Sequence, residues 1–237
     1  MKHAAPTYDG SELSLFAEAR HWKRYFSRSL QPFIGPAVLE VGAGIGGTTQ
    51  VLCEKRHRRW VCLEPDGILA HQIDERIRLG VLPPFCERRV GKLNNVPRDE
   101  AFDTIFYIDV LEHIDRDREE LEMATEYLNL GGYLVVVAPA HQWLFSPFDT
   151  AVGHFRRYSS QSLLSRGPPG TRVVLARYLD SVGLLASLAN RVFLRSALPS
   201  AAQIRLWDSY MVPCSRLLDP VLRYSFGKTI VLVWERL

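Results

Sequence analysis

The 237-residue chain is poor in three features that would otherwise direct its reading. It has only four cysteines (Cys53, Cys62, Cys86 and Cys214), none in a CxxC pair and none at metal-ligand spacing. No disulfide framework or zinc-type site is indicated, no metal ligand set is read, and buried thiols suit a reducing compartment. Net charge is small: 29 basic against 26 acidic side chains leaves +3, too close to balance to indicate a nucleic-acid partner. Long apolar runs are missing as well. The longest uncharged stretch, Tyr127 to Phe148, contains Gly131-Gly132, Pro139, His141, Gln142 and Pro147, a composition unsuited to a lipid-spanning helix. The N-terminal MKHAAPTYDG lacks the apolar core of a secretory signal. A soluble, cytoplasmic protein is expected, and no internal repeat is evident.

What is present is globular in character. A composition 47% hydrophobic and 23% charged can form a large core without covalent staples. The charge is unevenly spread. Residues 1–150 carry 17 basic and 22 acidic side chains, whereas residues 151–237 carry 12 and 4. A basic C-terminal third is compatible with an anionic acceptor, an anionic surface or a solvated face.

Periodicity places elements along the chain. A helix is predicted from Ser11 to near Ser29, with Leu15, Trp22 and Phe26 on one stripe. Strands are predicted at residues 37–41, 59–63, 85–90, 102–108, 133–138, 171–178 and 229–234. Helices are predicted from Thr48 to about Lys55, from an Asp66 N-cap to a Gly80 stop, and from an Asp115 cap to a Gly131 stop. A short helix is expected over residues 160–165. Residues 180–226 read as amphipathic helices broken by Pro199, Pro213 and Pro220. Alternating strands and helices give an α/β, doubly wound sheet, with a helical insertion before the final strand. The whole chain, 1–237, reads as one domain.

The strand 37–41 runs straight into Gly42-Ala43-Gly44-Ile45-Gly46-Gly47. A strand, a glycine turn and a helix start let a ligand approach the backbone and its free N–H groups. Gly42-x-Gly44-x-x-Gly47 fits the nicotinamide dinucleotide pattern, and Glu64 lies where an acid grips ribose hydroxyls. Glu40, however, would repel a pyrophosphate and suits a cationic amino-acid group.

Further motifs sharpen this. Val38-Leu39-Glu40-Val41-Gly42-Ala43-Gly44-Ile45-Gly46 resembles motif I of the class I S-adenosylmethionine (SAM)-dependent methyltransferases. Cys62-Leu63-Glu64-Pro65-Asp66 resembles their acidic second-strand end. The segment from Phe102 to His113, ending Asp109-Val110-Leu111-Glu112-His113, resembles their fourth-strand motif, and Leu130-Gly131-Gly132-Tyr133-Leu134 their turn into strand five. The likeness covers about residues 35–140. No Asn/Asp-Pro-Pro-Tyr/Phe motif follows strand four.

The resemblance implies a Rossmann-like, seven-stranded sheet whose last strand is antiparallel. It implies SAM as cofactor and S-adenosylhomocysteine as its product. Gly42, Ala43 and Gly44 would face the methionine part, with Glu40 near its ammonium. Glu64 would take both ribose hydroxyls, Pro65 would lie by the adenosine, Lys92 and Leu93 would flank adenine, and Asp109 and Val110 would lie by the sulfonium. The SAM-binding core is then residues 35–140, the substrate loop and helical lid 141–228, and the final strand 229–235.

The loop after strand five supplies candidates for chemistry on the acceptor, because α/β sheets bind ligands at the carboxyl ends of their strands. His141, His154 and Asp149 are candidate catalytic residues, and Trp143, Arg156, Arg157 and Tyr158 candidate substrate contacts. His113 reads as a packing residue. The expected reaction is methyl transfer to O, N or C of a small or lipid-like acceptor, an anionic one included. A nicotinamide-dependent oxidoreductase and a non-catalytic SAM-binding protein stay open as alternatives. Residues 182–198, with Leu184, Leu185, Leu188, Val192, Leu198, Arg191 and Arg195, leave contact with a membrane surface open, although packing over the sheet edge is the preferred reading.

Overall fold

A computed structural model of the chain describes residues 18–189 and 200–237. The first half of the predicted N-terminal helix, with Leu15, lies outside the described residues, as do Arg191, Val192, Arg195, Leu198 and Pro199.

Continuous apolar runs become the buried strands of one sheet, as expected where both faces are covered. The strands are β1 (Ala37–Val41), β2 (Arg59–Glu64), β3 (Cys86–Val90), β4 (Phe102–Ile108), β5 (Leu128–Pro139), β6 (Thr171–Leu179) and β7 (Thr229–Arg236). Their order is β3-β2-β1-β4-β5-β7-β6. The pairs from β3 through β5 are parallel, and β7 runs antiparallel to both β5 and β6. The edge strand β3 reads Cys-Glu-Arg-Arg-Val and exposes most of its length, a charged edge that discourages pairing with another chain.

Helices cover both faces. One side packs Trp22 and Phe26 of α1 (Arg20–Leu30) with Trp60, Phe106, Val135 and Val233 of the sheet. α2 (Thr49–Leu52) and α3 (Gly67–Arg78) add Leu52 and Ile73 to this layer. The other side packs Leu121 and Ala124 of α4 (Asp117–Glu126) against Leu39, Ile105, Tyr107 and Leu134. After β5 come α5 (Pro147–Ala151) and α6 (Ser160–Leu164), and between β6 and β7 come α7 (Ser181–Ala189), α8 (Ala201–Leu206) and α9 (Val212–Val221). No helix among the described residues is long and apolar enough to cross a membrane.

Asp66 caps α3 as predicted, accepting from the N–H groups of Ile68 and Leu69. Four local expectations need correction. The helix after the glycine turn spans only Thr49–Leu52. Asp115 does not cap α4: its carboxylate and carbonyl receive Arg156 instead. Gly131 does not stop that helix, which ends at Glu126; it lies inside β5 with φ +75°, where a bulge over Asn129–Gly132 shifts the register against β4. Pro213 and Pro220 do not break the last helix. Pro213 follows a wide turn over Trp207–Met211, in which the N–H of Val212 reaches back to Trp207, so its missing donor falls where a helix starts.

Candidate active site

The carboxyl edge of the sheet is built from residues forced into left-handed backbone. Gly42 after β1 has φ +70°, Asp109 after β4 +53°, His141 after β5 +67° and Asp180 after β6 +66°. Three of these are not glycine, and such strain concentrates where function fixes the backbone. Gly42 could carry no side chain: a Cβ there would stand 2.5 Å from a methyl of Val110. The N–H groups of Gly42 and Ala43 donate to the Leu63 carbonyl at 2.8 and 3.1 Å, which folds the turn over the end of β2. Gly44, also left-handed at +56°, donates its N–H to Glu64 at 2.8 Å, and Asp66 donates to the other Glu64 oxygen at 3.0 Å.

Glu64 is buried. Burial raises its pKa, against the two backbone hydrogen bonds that favour its charge. A carboxyl oxygen has two lone pairs, so each Glu64 oxygen keeps one for a hydroxyl donor. Pro65 is exposed at the lip of the site and Lys92 is exposed beside it, whereas Leu93 is fully buried beneath. Glu40, expected near the cofactor's ammonium, is buried at the end of β1. One of its oxygens accepts from the Thr49 hydroxyl at 2.6 Å and the Trp60 indole N–H at 2.9 Å. Burial pushes its pKa up to about 7, and it ties α2 to the sheet below the glycine turn.

Across β4, Asp109 is exposed at the strand's end and its N–H donates to Val137. Val110 sits against Gly42. The loop after β5 brings Asp149 and His154 together. Asp149 is fully buried and accepts from His154 Nδ1, from Ser146 through N–H and hydroxyl, and from the Arg157 guanidinium through two nitrogens, all within 2.8–3.0 Å. Burial would raise the Asp149 pKa, but the hydrogen bonds from His154 and Arg157 win and hold it far below the usual carboxylate range. His113 lies edge-on to His154 with ring centroids 4.6 Å apart, and burial lowers its pKa to about 4.

The other expected acceptor contacts are committed within the protein. His141 Nε2 lies 3.0 Å from the Gly227 carbonyl, and its ring stacks on Tyr178 and Trp143. Trp143 is half exposed. Arg157 is spent on Asp149. Tyr158 is fully buried; its hydroxyl donates to Asp117 at 2.8 Å, where Arg156 and Arg166 also converge. Arg156, Arg157 and Tyr158, expected as a clamp on an acceptor, are paired here with the buried acids Asp117 and Asp149. These groups pin α4 and α6 to the loop because their partners, Asp117 and Asp149, are buried acids that need cations.

Sequence reading also missed three buried acids that anchor the helical cover. Asp180 accepts from Ser215, Gly183 and the Trp207 indole, with Lys228 at 3.5 Å. Asp219 accepts from the Tyr25 hydroxyl and the N–H groups of Asp180 and Ser181. Asp208 accepts from the N–H groups of His21 and Trp22. These links fasten α7 and α9 to α1 and to β6. The available signal was isolated acids amid apolar neighbours in a basic third, as in Leu206-Trp207-Asp208 and Leu218-Asp219-Pro220.

Residues 39–134 match a family model described as a methyltransferase domain. No curated protein matches the chain in sequence. Among solved structures, it is similar to a geranyl diphosphate methyltransferase in complex with SAM, at 13% identity and TM-score 0.65, over 99% of this chain and 93% of that one. It is similar to coclaurine N-methyltransferase bound to N-methylheliamine and S-adenosylhomocysteine, at 16% identity and TM-score 0.62, over 99% and 75%. The [4+2]-cyclase SpnF is similar at 14% identity and TM-score 0.60, over 90% and 81%, so the fold also serves other chemistry. The strand order, with an antiparallel β7 set between β5 and β6, departs from the 3-2-1-4-5-6 order of dinucleotide-binding dehydrogenases. Residues 39–134 thus match a methyltransferase-domain model, and the chain as a whole has the fold of these SAM- and S-adenosylhomocysteine-bound methyltransferases.

Proposed function

We propose that the protein transfers a methyl group from S-adenosylmethionine to a small or lipid-like acceptor bound over the carboxyl ends of β4 and β5. The observation that carries this reading is the pairing of a side-chain-free Gly42, closed against Val110, with the buried Glu64 across the turn. It leaves backbone at one strand end and a carboxylate at the next, a cradle for a nucleoside, and the antiparallel β7 between β5 and β6 together with the methyltransferase-domain match supports SAM over a dinucleotide. Gly42, Ala43 and Gly44 hold the methionine part, Glu64 the ribose hydroxyls, and Pro65 with Lys92 the adenine, Leu93 packing beneath them. Asp109 and Val110 stand beside the reacting centre. Glu40 supports the glycine turn from below.

The bound cofactor supplies an electrophilic methyl whose leaving group needs no protonation. The protein's task is then orientation, which is worth roughly 7–11 kcal/mol in favourable cases. Asp149 fixes His154 through Nδ1 and turns its other nitrogen toward Glu112, 3.9 Å away, beside the place proposed for the acceptor's polar group. His141, held by Gly227 and two aromatic rings, shapes the wall beside it, with Trp143 exposed to the acceptor. Apolar side chains exposed on the helical cover, among them Leu185, Leu206 and Tyr210, support an apolar body for that acceptor.

Crystals grown with S-adenosylhomocysteine test the reading. The expected density places the ribose hydroxyls on Glu64 and the amino-acid end over residues 42–44. Density elsewhere, or a crevice closed by side chains, refutes it.

A further inference from the structure

A one-turn segment after β4, Leu111–His113, brings Glu112 and His113 beside His154 of the later loop. Ligand atoms of the three side chains all lie within 4.8 Å of one another. Glu112 is 1% exposed, and neither carboxylate oxygen has a hydrogen-bond partner among the described residues. A carboxylate so placed is costly unless a positive charge or a proton accompanies it.

Its neighbour does not supply a donor in the neutral state. His154 Nδ1 engages Asp149 at 2.8 Å, and an ionised carboxylate only accepts, so Nδ1 carries the proton. The Nε2 lone pair then faces Glu112 Oε1 across 3.9 Å. With Glu112 ionised, two acceptors confront each other over a gap too long for a hydrogen bond. A cation between them removes the conflict.

We infer that Glu112, His113 and His154 bind one divalent transition-metal ion at the carboxyl end of β4, and that its open positions take an oxygen of the methyl acceptor. Metal–nitrogen and metal–oxygen bonds of about 2.0–2.2 Å put two ligands roughly 3.0–4.2 Å apart, so the 3.9 Å pair fits and the widest separation closes by a few tenths of an ångström. Two imidazoles with one carboxylate suit zinc, manganese, iron or cobalt, whereas calcium and magnesium prefer oxygen alone. Asp149 is the outer carboxylate that orients a ligating histidine. A backbone hydrogen bond to Gly153 does the same for His113. Sequence spacing carries no such signature, since His154 arrives from a different loop.

The acceptor assignment rests on the methyl-transfer reading; the metal site does not. On such an ion an acceptor hydroxyl releases its proton to water near neutral pH. The oxygen then forms the bond to the methyl carbon, while the carbon–sulfur bond breaks and its electron pair stays on sulfur.

The test uses the full chain stripped with EDTA and titrated with Mn²⁺, free ion being followed by electron paramagnetic resonance. One saturable ion per chain is expected. Glu112→Gln and His154→Gln should each weaken binding at least about tenfold, as should Asp149→Asn acting through His154. Calorimetric binding of S-adenosylhomocysteine, measured in parallel, confirms that the variants are folded. Absence of saturable Mn²⁺ binding, or binding untouched by Glu112→Gln and His154→Gln, overturns the site; nucleoside binding that persists there leaves the methyl-transfer reading standing. With Co²⁺ in place, added catechol should shift the visible absorption band. A band that does not move overturns the oxygen-acceptor assignment.

Discussion

Glu64→Gln isolates the charge at the end of β2 while keeping its shape. In the protein the two Glu64 oxygens accept the N–H groups of Gly44 and Asp66 at 2.8 and 3.0 Å. A glutamine keeps one acceptor and turns an NH₂ group toward the other N–H. The same exchange removes one acceptor for a ribose hydroxyl. A hydrogen bond to a charged group contributes about 1.5–3 kcal/mol, and 1.4 kcal/mol is about tenfold in affinity. S-adenosylhomocysteine should therefore bind roughly 10- to 150-fold more weakly in isothermal calorimetry. Glu64→Ala should also lose at least about tenfold. Because burial raises the Glu64 pKa, affinity should decline as pH falls and the carboxylate protonates. Affinity within threefold of wild type for both variants, with no pH trend, would refute the ribose role.

Other perturbations probe the scaffold. Gly42→Ala imposes left-handed strain of about 1–2 kcal/mol and an overpacking cost of about 1–3 kcal/mol against Val110. At about 2–4 °C per kcal/mol for a chain of this size, its Tm should fall, and adding Val110→Ala should restore part of the loss; a Tm unchanged within 2 °C would sink the steric argument. Asp149→Asn strips the mostly buried Arg157 of its counter-charge and should cost about 3–5 kcal/mol in urea unfolding. Since the folded-state pKa of Asp149 lies below its unfolded value of about 3.9, its contribution is present above that pH and fades as pH falls further. The variant should accordingly show a shallower acid-induced loss than wild type, and parallel curves would count against it. Gly183→Ala places a Cβ 2.0 Å from an Asp180 oxygen. It should expose the helical cover to limited proteolysis, and wild-type resistance would contradict the anchoring role of Asp180.

Much of the fold was legible because the strands carry their own signal. Residues 37–41, 102–108 and 229–234 are apolar runs bounded by breakers, and the sheet buries them on both faces. The glycine turn and Glu64 were legible too, since they are neighbours of a strand end and act largely through backbone. Long-range pairing was not legible. Tyr158 meets Asp117 from 41 positions away, and nothing in Arg156-Arg157-Tyr158 distinguishes a clamp on an acceptor from a clamp on buried acids. The strand pattern alone likewise does not reveal the Thr49 and Trp60 donors that engage one oxygen of Glu40. Gly131 misled for a similar reason: a left-handed glycine serves a strand bulge as well as a helix end.

Calorimetric titration of the purified chain with S-adenosylhomocysteine, set beside a titration with NADH, bears on the central claim most directly. Saturable one-to-one binding of the nucleoside thioether with no heat from the dinucleotide is the predicted result. Binding of NADH with none of S-adenosylhomocysteine would contradict the account.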